Sequence, residues 1–353
     1  MSKQKSRLVA SAILTVLCAL MAFLPFTGLE DPGKGVMILF LWCILMWIIR
    51  PIPEYLIGVL GAAVMAIFFN QGATVVSGFG NTGWWLCLWA GFIGASIQHT
   101  GLGERIAYWI VTKMGKTELM ANYATNIANT VLSLMIPSNT ARGAVVSPIC
   151  DSICEGLGYK RGEHKGDAAI MLSNLYTNTT NTWLFYTAVG ANAIGMAIVT
   201  EVTGQSISWM GWLAATFIPA TLILAFIPWF CNKMFGTPKA ERKPVNITFA
   251  REKLAAMGPL SINEKKAAFY FLLTILAFCT QTWHNVSPNF VVFVSVFLLL
   301  CPGIGVCSFK DINNMIAWPA FLQLGFAMSL ASCASKVKGF QWIVELVFTI
   351  NPA

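Results

Sequence analysis

The stretch IPSNTARGAVVSPIC, Ile136 to Cys150, places Pro137, Ser138, Asn139 and Thr140 between strongly apolar runs, with Arg142 two residues further on. In hydrocarbon each unsatisfied backbone group costs about several kcal/mol, so a break of this kind must face the protein interior or a water-filled cavity. Two half-helices meeting there aim backbone N–H groups and positive dipole ends at one point. The Ser138 and Thr140 hydroxyls and the Asn139 amide add hydrogen-bond donors, a set that suits a carboxylate. The oxygens of Ser138 and Asn139 suit sodium as well, so the chemistry points to anion binding without fixing what drives it. The plain structural alternative is a Pro-kinked helix whose Ser and Thr bond back to its own carbonyls.

A second polar run, SNLYTNTTNTW from Ser173 to Trp183, holds eight Ser, Thr or Asn residues in eleven positions. Thr177, Asn178, Thr179, Asn181 and Thr182 form either an unwound segment facing the tip of the first break or an interhelical hydrogen-bond cluster. For Arg142, a charge at membrane depth requires a partner, which is either a substrate carboxylate held bidentately or the carbonyls of its own turn. His99 and His284 stand near span ends and read as interfacial. No HExxH, GxSxG or GxxxxGK[ST] motif is present in the sequence, and no pair of acids falls inside an apolar run, so an enzyme lacks its tools.

These residues sit in a chain of 353 residues that is 56% hydrophobic and 11% charged, with a mean hydropathy of +0.67. That composition is a polytopic, all-α membrane protein. The formal charge of +8 comes from basic residues in connections between apolar runs, which is a topology signal and not a nucleic-acid surface. Most of the ten cysteines stand within apolar runs without CxxC spacing and read as small hydrophobes, with no metal or cofactor implied beyond the sodium considered above.

The apolar runs are Leu8 to Phe26, Val36 to Ile49, Glu54 to Phe69, Trp84 to Val111, the broken pair Ala121 to Cys154, Ala168 to Val199, Trp209 to Phe230, Ala267 to Trp283, Asn289 to Cys301 and Trp318 to Ile350. With a cytoplasmic N-terminus and a broken pair that enters and leaves on one face, 18 of the 23 Lys and Arg residues fall in cytoplasmic connections. The positive-inside rule therefore predicts a re-entrant hairpin over about 121–154, its tip about halfway through the bilayer. The segments are then a leading helix and external loop (1–35), a first membrane repeat (36–231), a cytoplasmic linker (232–266) and a second membrane repeat (267–353). WWLCLWAGFIGASIQHTGLGERIAYWIV from Trp84 is echoed by WPAFLQLGFAMSLASCASKVKGFQWIV from Trp318, with Gly91-Phe92 matching Gly325-Phe326. Such symmetry is characteristic of inverted-repeat secondary transporters.

IPSNTARGAVVSP, together with RPIPE (Arg50 to Glu54), HTGLGERIAYW (His99 to Trp109) and FAREKLAAMGPLSINEKK (Phe249 to Lys266), resembles the divalent anion:sodium symporter family in its bacterial citrate/succinate and tartrate/succinate antiporter branch. The resemblance covers essentially the whole chain. It implies two inverted repeats of five helices and a hairpin behind one leading helix, elevator-like displacement, homodimers, and a bacterial inner membrane location. It also implies di- or tricarboxylate transport (citrate, succinate, tartrate, malate or 2-oxoglutarate) by exchange, or by sodium-coupled symport. Ser138, Asn139 and Thr140 then occupy the first of two SNT motifs, and the unwound segment falls at Thr177 to Thr182. No second Ser-Asn-Thr follows Asn232. The expectation is a second repeat left incomplete, the sequence being either a fragment or truncated gene product that does not transport by itself, or a part completed by another chain; labelled succinate or citrate uptake by this chain alone above an Asn139→Ala control contradicts it.

Overall fold

The computed structural model describes all residues except 1–2, 27, 30–31, 239–243 and 351–353. The linker residues Lys239, Arg242 and Lys243 and the terminal Asn351-Pro-Ala therefore lie outside the described residues. Helices and turns account for all regular structure among the described residues. In chain order they are α1 (Lys3–Met21), α2 (Gly33–Ile49), α3 (Glu54–Phe68), a 3-10 turn (Ser77–Gly80), α4 (Thr82–Thr100) and α5 (Leu102–Met114). Next come α6 (Glu118–Met135), α7 (Asn139–Gly156), α8 (Lys165–Leu184), α9 (Gly190–Thr203), α10 (Trp209–Phe235) and α11 (Thr248–Ala256). The rest are α12 (Ile262–Cys279), α13 (Gln281–His284), α14 (Pro288–Leu300), α15 (Phe309–Ile312) with a 3-10 turn (Asn313–Met315), α16 (Trp318–Lys336) and α17 (Gly339–Ile350).

Apart from the broken pair, four of the apolar runs are not single helices; one, Ala267 to Trp283, is interrupted at Thr280 between α12 and α13. Trp84 to Val111 is split at Gly101, whose φ of +79° is the left-handed turn that glycine accepts without strain. Trp318 to Ile350 is split at Val337-Lys338, where Lys338 has φ +56°. Ala168 to Val199 is split at Phe185–Val189. Among the described residues only Gln4–Met21 and Trp209–Phe235 are both long and apolar enough to cross a bilayer by length and composition alone, with α2, α3 and α14 apolar but shorter. α6, α7 and α8 depart from that pattern because they bury Asn, Thr, Ser and Arg side chains against one another.

With the four-residue α13 set aside, one element order occurs twice. α2, α3, a 3-10 turn, α4, a positive-φ break and α5 are followed later by α12, α14, a short helix with a 3-10 turn, α16, a positive-φ break and α17.

Compactness groups the chain into two units, one of Met1–Trp85 with Ala317–Ala353 and one of Leu86–Ile316. The grouping cuts across the sequence segments because α16 packs on α2 and α3. In the first unit α3 presents glycines to its neighbours: a Cβ on Gly58 would lie 2.6 Å from Phe326 Cβ, and one on Gly61 2.5 Å from Cys43 Sγ. Small residues at these positions let the helices approach closely. Val36, Ile57, Met65, Leu330 and Cys333 fill the core between them.

The second unit is organised by α6, α7 and α8. Asn122 reaches Ala169 and Thr177 reaches Asn126, so α6 and α8 run parallel. Asn178 reaches Asn139 and Asn174 reaches Ser147, so α7 runs antiparallel to α8. α6 and α7 thus fold back on each other as a helical hairpin, capped at its two helix starts by Thr117, which accepts from Met120 N–H, and by Ser138, which accepts from Ala141 N–H. Its base is tied down at Glu118, whose buried carboxylate accepts from Asn232 Nδ2 at 3.0 Å, Thr237 N–H at 3.1 Å and Tyr159 O–H at 2.7 Å. Burial raises the Tyr159 phenol above its ordinary value, while its hydrogen bond with Thr237 acts in the opposite sense.

Candidate functional site

The tip of the hairpin is Ile136-Pro137-Ser138, and its backbone is held by one side chain. Arg142 is fully buried. Its Nη1 donates to Ile136 O at 2.8 Å and Ala188 O at 2.9 Å, its Nε to Asn178 Oδ1 at 3.1 Å, and its Nη2 to Asn139 Oδ1 and, at 3.4 Å, to Asn178 O. These bonds use all five guanidinium N–H groups. Of the two roles open to Arg142, the structure therefore supports the second: it bonds carbonyls of the tip and of the α8–α9 break, and it has no donor left for a substrate carboxylate. Asn178 completes the stitch by donating from Nδ2 to Asn139 O at 2.9 Å.

Thr177 to Thr182 is not unwound. α8 continues through it to Leu184 and breaks at Phe185–Val189, one turn later than expected. Helix survives there because the polar side chains find partners that leave the backbone ladder intact. Thr177 and Asn181 are fully buried and bond to α6, Thr177 to Asn126 Oδ1 and Asn181 Nδ2 to Asn129 Oδ1 at 3.2 Å. Thr179 and Thr182 donate back to Leu175 O at 3.0 Å and Thr179 O at 2.7 Å. Hence Ser138, Asn139, Arg142 and Asn178 come together at the tip, Thr140 is exposed beside them, Thr177 and Asn181 bind α8 to α6, and Thr179 and Thr182 serve their own helix.

The true break is made tolerable by side-chain donors. Asn192 Nδ2 reaches Thr182 O at 2.6 Å and Phe185 O at 3.1 Å, Trp212 Nε1 reaches Trp183 O at 2.9 Å, and Thr216 Oγ1 reaches Leu184 O at 2.9 Å. With Arg142 on Ala188 O, the carbonyls of Thr182, Trp183, Leu184, Phe185 and Ala188 each have a side-chain donor from the protein, as a break among apolar segments demands. Trp209, 3% exposed, wedges against the break by stacking between Phe185 and Phe278 and donating to Thr187 Oγ1 at 3.4 Å.

Sequence reasoning missed the partner face on α6. Asn122, Asn126, Asn129 and Ser133 recur at helical spacing and are all buried; that i, i+4, i+7, i+11 pattern was a readable sign of one polar stripe. Asn129 Nδ2 donates to Asn174 Oδ1 at 3.0 Å and Asn174 Nδ2 to Ser147 Oγ at 3.4 Å, carrying the network across α6, α8 and α7. Asn126 Nδ2 also reaches Leu224 O at 3.3 Å, the carbonyl that Pro228 deprives of its helical donor within α10. The break at Phe185–Val189, by contrast, carries no strong sequence mark.

Residues 5–352 match the family model described as the sodium:sulfate symporter transmembrane region. The chain belongs to this family. As a member of this symporter family it is a multi-helix membrane transporter and not an enzyme. It is 31% identical to the inner membrane protein YbhI of Escherichia coli K12 over 97% of this chain and 73% of that protein. It is 29% identical to the putative malate transporter YflS of Bacillus subtilis over 98% of this chain and 76% of that protein. An L-tartrate/succinate antiporter of Escherichia coli UTI89 is 25% identical over 93% of this chain and 72% of its own length. The family assignment gives the hairpin tip a context: a polar, protein-satisfied break at the meeting of α7, α8 and α9 in a transporter.

Proposed function

We infer that the transported solutes are small di- or tricarboxylates, moved by exchange across a bacterial inner membrane with the N-terminus in the cytoplasm. The observation that carries this is the start of α7. Ser138, Asn139 and exposed Thr140 stand there beside Asn178, where helix N–H groups and hydroxyls favour a carboxylate. The named activities of YflS and of the tartrate/succinate antiporter support the same substrate class. In this proposal the re-entrant hairpin carries the site in an elevator-like alternation of access, and the active form is a homodimer.

Arg142 bears on the driving ion. Its guanidinium sits among Ile136 O, Ala188 O, Asn178 O and two amide oxygens, a set of the kind a sodium ion would take. Asn139 Oδ1 is committed to that cation, which leaves Ser138 Oγ as the remaining predicted sodium ligand. A fixed positive charge in this position favours sodium-independent exchange. The sodium-coupled alternative is kept by the family description itself.

Counterflow separates the two. Proteoliposomes holding the full-length gene product and loaded with unlabelled succinate are expected to take up labelled citrate, malate or tartrate with no external sodium. Uptake that needs a sodium gradient and no internal dicarboxylate points to symport; uptake of no carboxylate under either condition overturns the substrate class.

A further inference from the structure

Leu260 and Ile262 are 47% and 71% exposed, yet they belong to the connection and first residue between α11 and α12 and not to the flank of a spanning helix. This corner is held firmly. Arg105 donates to Met257 O at 3.0 Å and Gly258 O at 2.8 Å and pairs with Glu264, while Ser261 and Glu264 form a reciprocal capping box at the start of α12. The apolar pair is therefore presented outward by a fixed backbone. The two helices carry exposed Arg251, Lys253 and Lys265 and half-buried Lys266, against exposed Glu252 and, on neighbouring α5, exposed Glu104. Further along α12, Phe269, Leu272 and Leu276 are 62%, 65% and 59% exposed, as expected where the helix meets acyl chains. The corner thus combines exposed apolar side chains and basic residues about one rigid turn, the pairing that suits the boundary between acyl chains and headgroups.

We propose that the α11–α12 corner docks anionic phospholipid headgroups, with Lys253, Lys265 and Lys266 on the phosphates and Leu260 and Ile262 in the acyl boundary. Charge complementarity selects the occupant: the four basic residues outnumber the exposed acids Glu252 and Glu104, an excess that zwitterionic lipid would leave unneutralised. The test is the thermal midpoint of the full-length protein in phosphatidylcholine mixed micelles titrated with phosphatidylglycerol. The wild-type midpoint is expected to rise. In K265Q/K266Q the phosphatidylglycerol needed for half the rise is expected to increase on the order of tenfold or more, and Leu260→Ser with Ile262→Ser is expected to blunt the rise with all charges intact. K160Q/R161Q, which removes exposed cations of the α7–α8 loop, is expected to respond like the wild type. An unchanged titration in K265Q/K266Q, an equal loss in K160Q/R161Q, or no wild-type response overturns the proposal.

Discussion

Arg105 Nε lies 2.5 Å from Glu264 Oε1, and Arg105 Nη2 lies 3.2 Å from Glu264 Oε2, joining α5 to α12 across 159 residues of chain. The pair brings together HTGLGERIAYW and FAREKLAAMGPLSINEKK, so two separate motifs in the sequence are halves of one contact. It is largely shielded, with side-chain exposures of 14% and 3%, and it fixes the end of the 232–266 linker. The linker itself is no loose tether: α11 lies antiparallel along α5, with Val245 N–H on Lys116 O at 3.2 Å near one end and Met257 beside Gly101 near the other.

Removing one partner should therefore be costly. Arg105→Leu leaves Glu264 buried without a cation and is expected to lower stability by about 3 kcal/mol, the range for breaking a buried pair. Thermal unfolding in detergent measures it, and Arg105→Lys should recover only part because the bidentate fork is lost.

The pH dependence has a defined sign. Burial disfavours the charged Glu264 carboxyl, but the Arg105 guanidinium and the Ser261 donors outweigh it and hold its pKa below the ordinary value. A carboxyl depressed on folding contributes stability that is fully present above its unfolded pKa of about 4.3 and is lost as pH falls through the lower folded value. The wild type should lose more stability than Glu264→Gln between neutral pH and pH of about 3, measured as midpoint against pH.

Arg142→Gln should abolish labelled dicarboxylate counterflow and lower the thermal midpoint. It takes the guanidinium from the break carbonyl of Ala188, at about 1–3 kcal/mol for a buried carbonyl left without a donor, and leaves the tip carbonyl of Ile136 with the Ser138 N–H alone, at 2.8 Å. Retention of wild-type counterflow by Arg142→Gln would show that the tip holds itself without the guanidinium.

Two glycines near the tip should behave oppositely. A Cβ on Gly94 of α4 would lie 2.9 Å from Pro137 Cδ, whereas one on Gly143 of α7 meets nothing closer than Asn178 Nδ2 at 3.8 Å. Gly94→Ala is expected to destabilise by about 1–3 kcal/mol through overpacking. Gly143→Ala should be neutral or stabilising by about 0.5–1 kcal/mol, as for Gly→Ala inside a helix. Midpoints of the two variants, read side by side, decide it.

Asn126→Leu should cost about 1–2 kcal/mol, since it leaves both Leu224 O and the Thr177 hydroxyl without a partner. The same substitution with Pro228→Ala, which returns a backbone donor to Leu224 O, should cost less than the sum of the two alone, a coupling read from a double-mutant cycle.

Composition and the distribution of Lys and Arg were enough to establish a polytopic helical membrane protein, because water-exposed surface must be charged and lipid-exposed surface cannot be. The Pro-Ser-Asn-Thr break was equally legible: a proline and an N-capping serine end one helix and begin another wherever they stand. What local chemistry leaves open is which partner a polar side chain finds. Thr177 to Thr182 looks like a broken helix when only its own residues are considered. It stays helical because α6 offers Asn126 and Asn129 at matching heights, and the break moves to Phe185–Val189, where Asn192, Trp212 and Thr216 supply donors. Arg142 is the same case: the sequence determined that a buried charge needs oxygens, and only the meeting of the hairpin tip with the end of α8 decided that those oxygens belong to the protein.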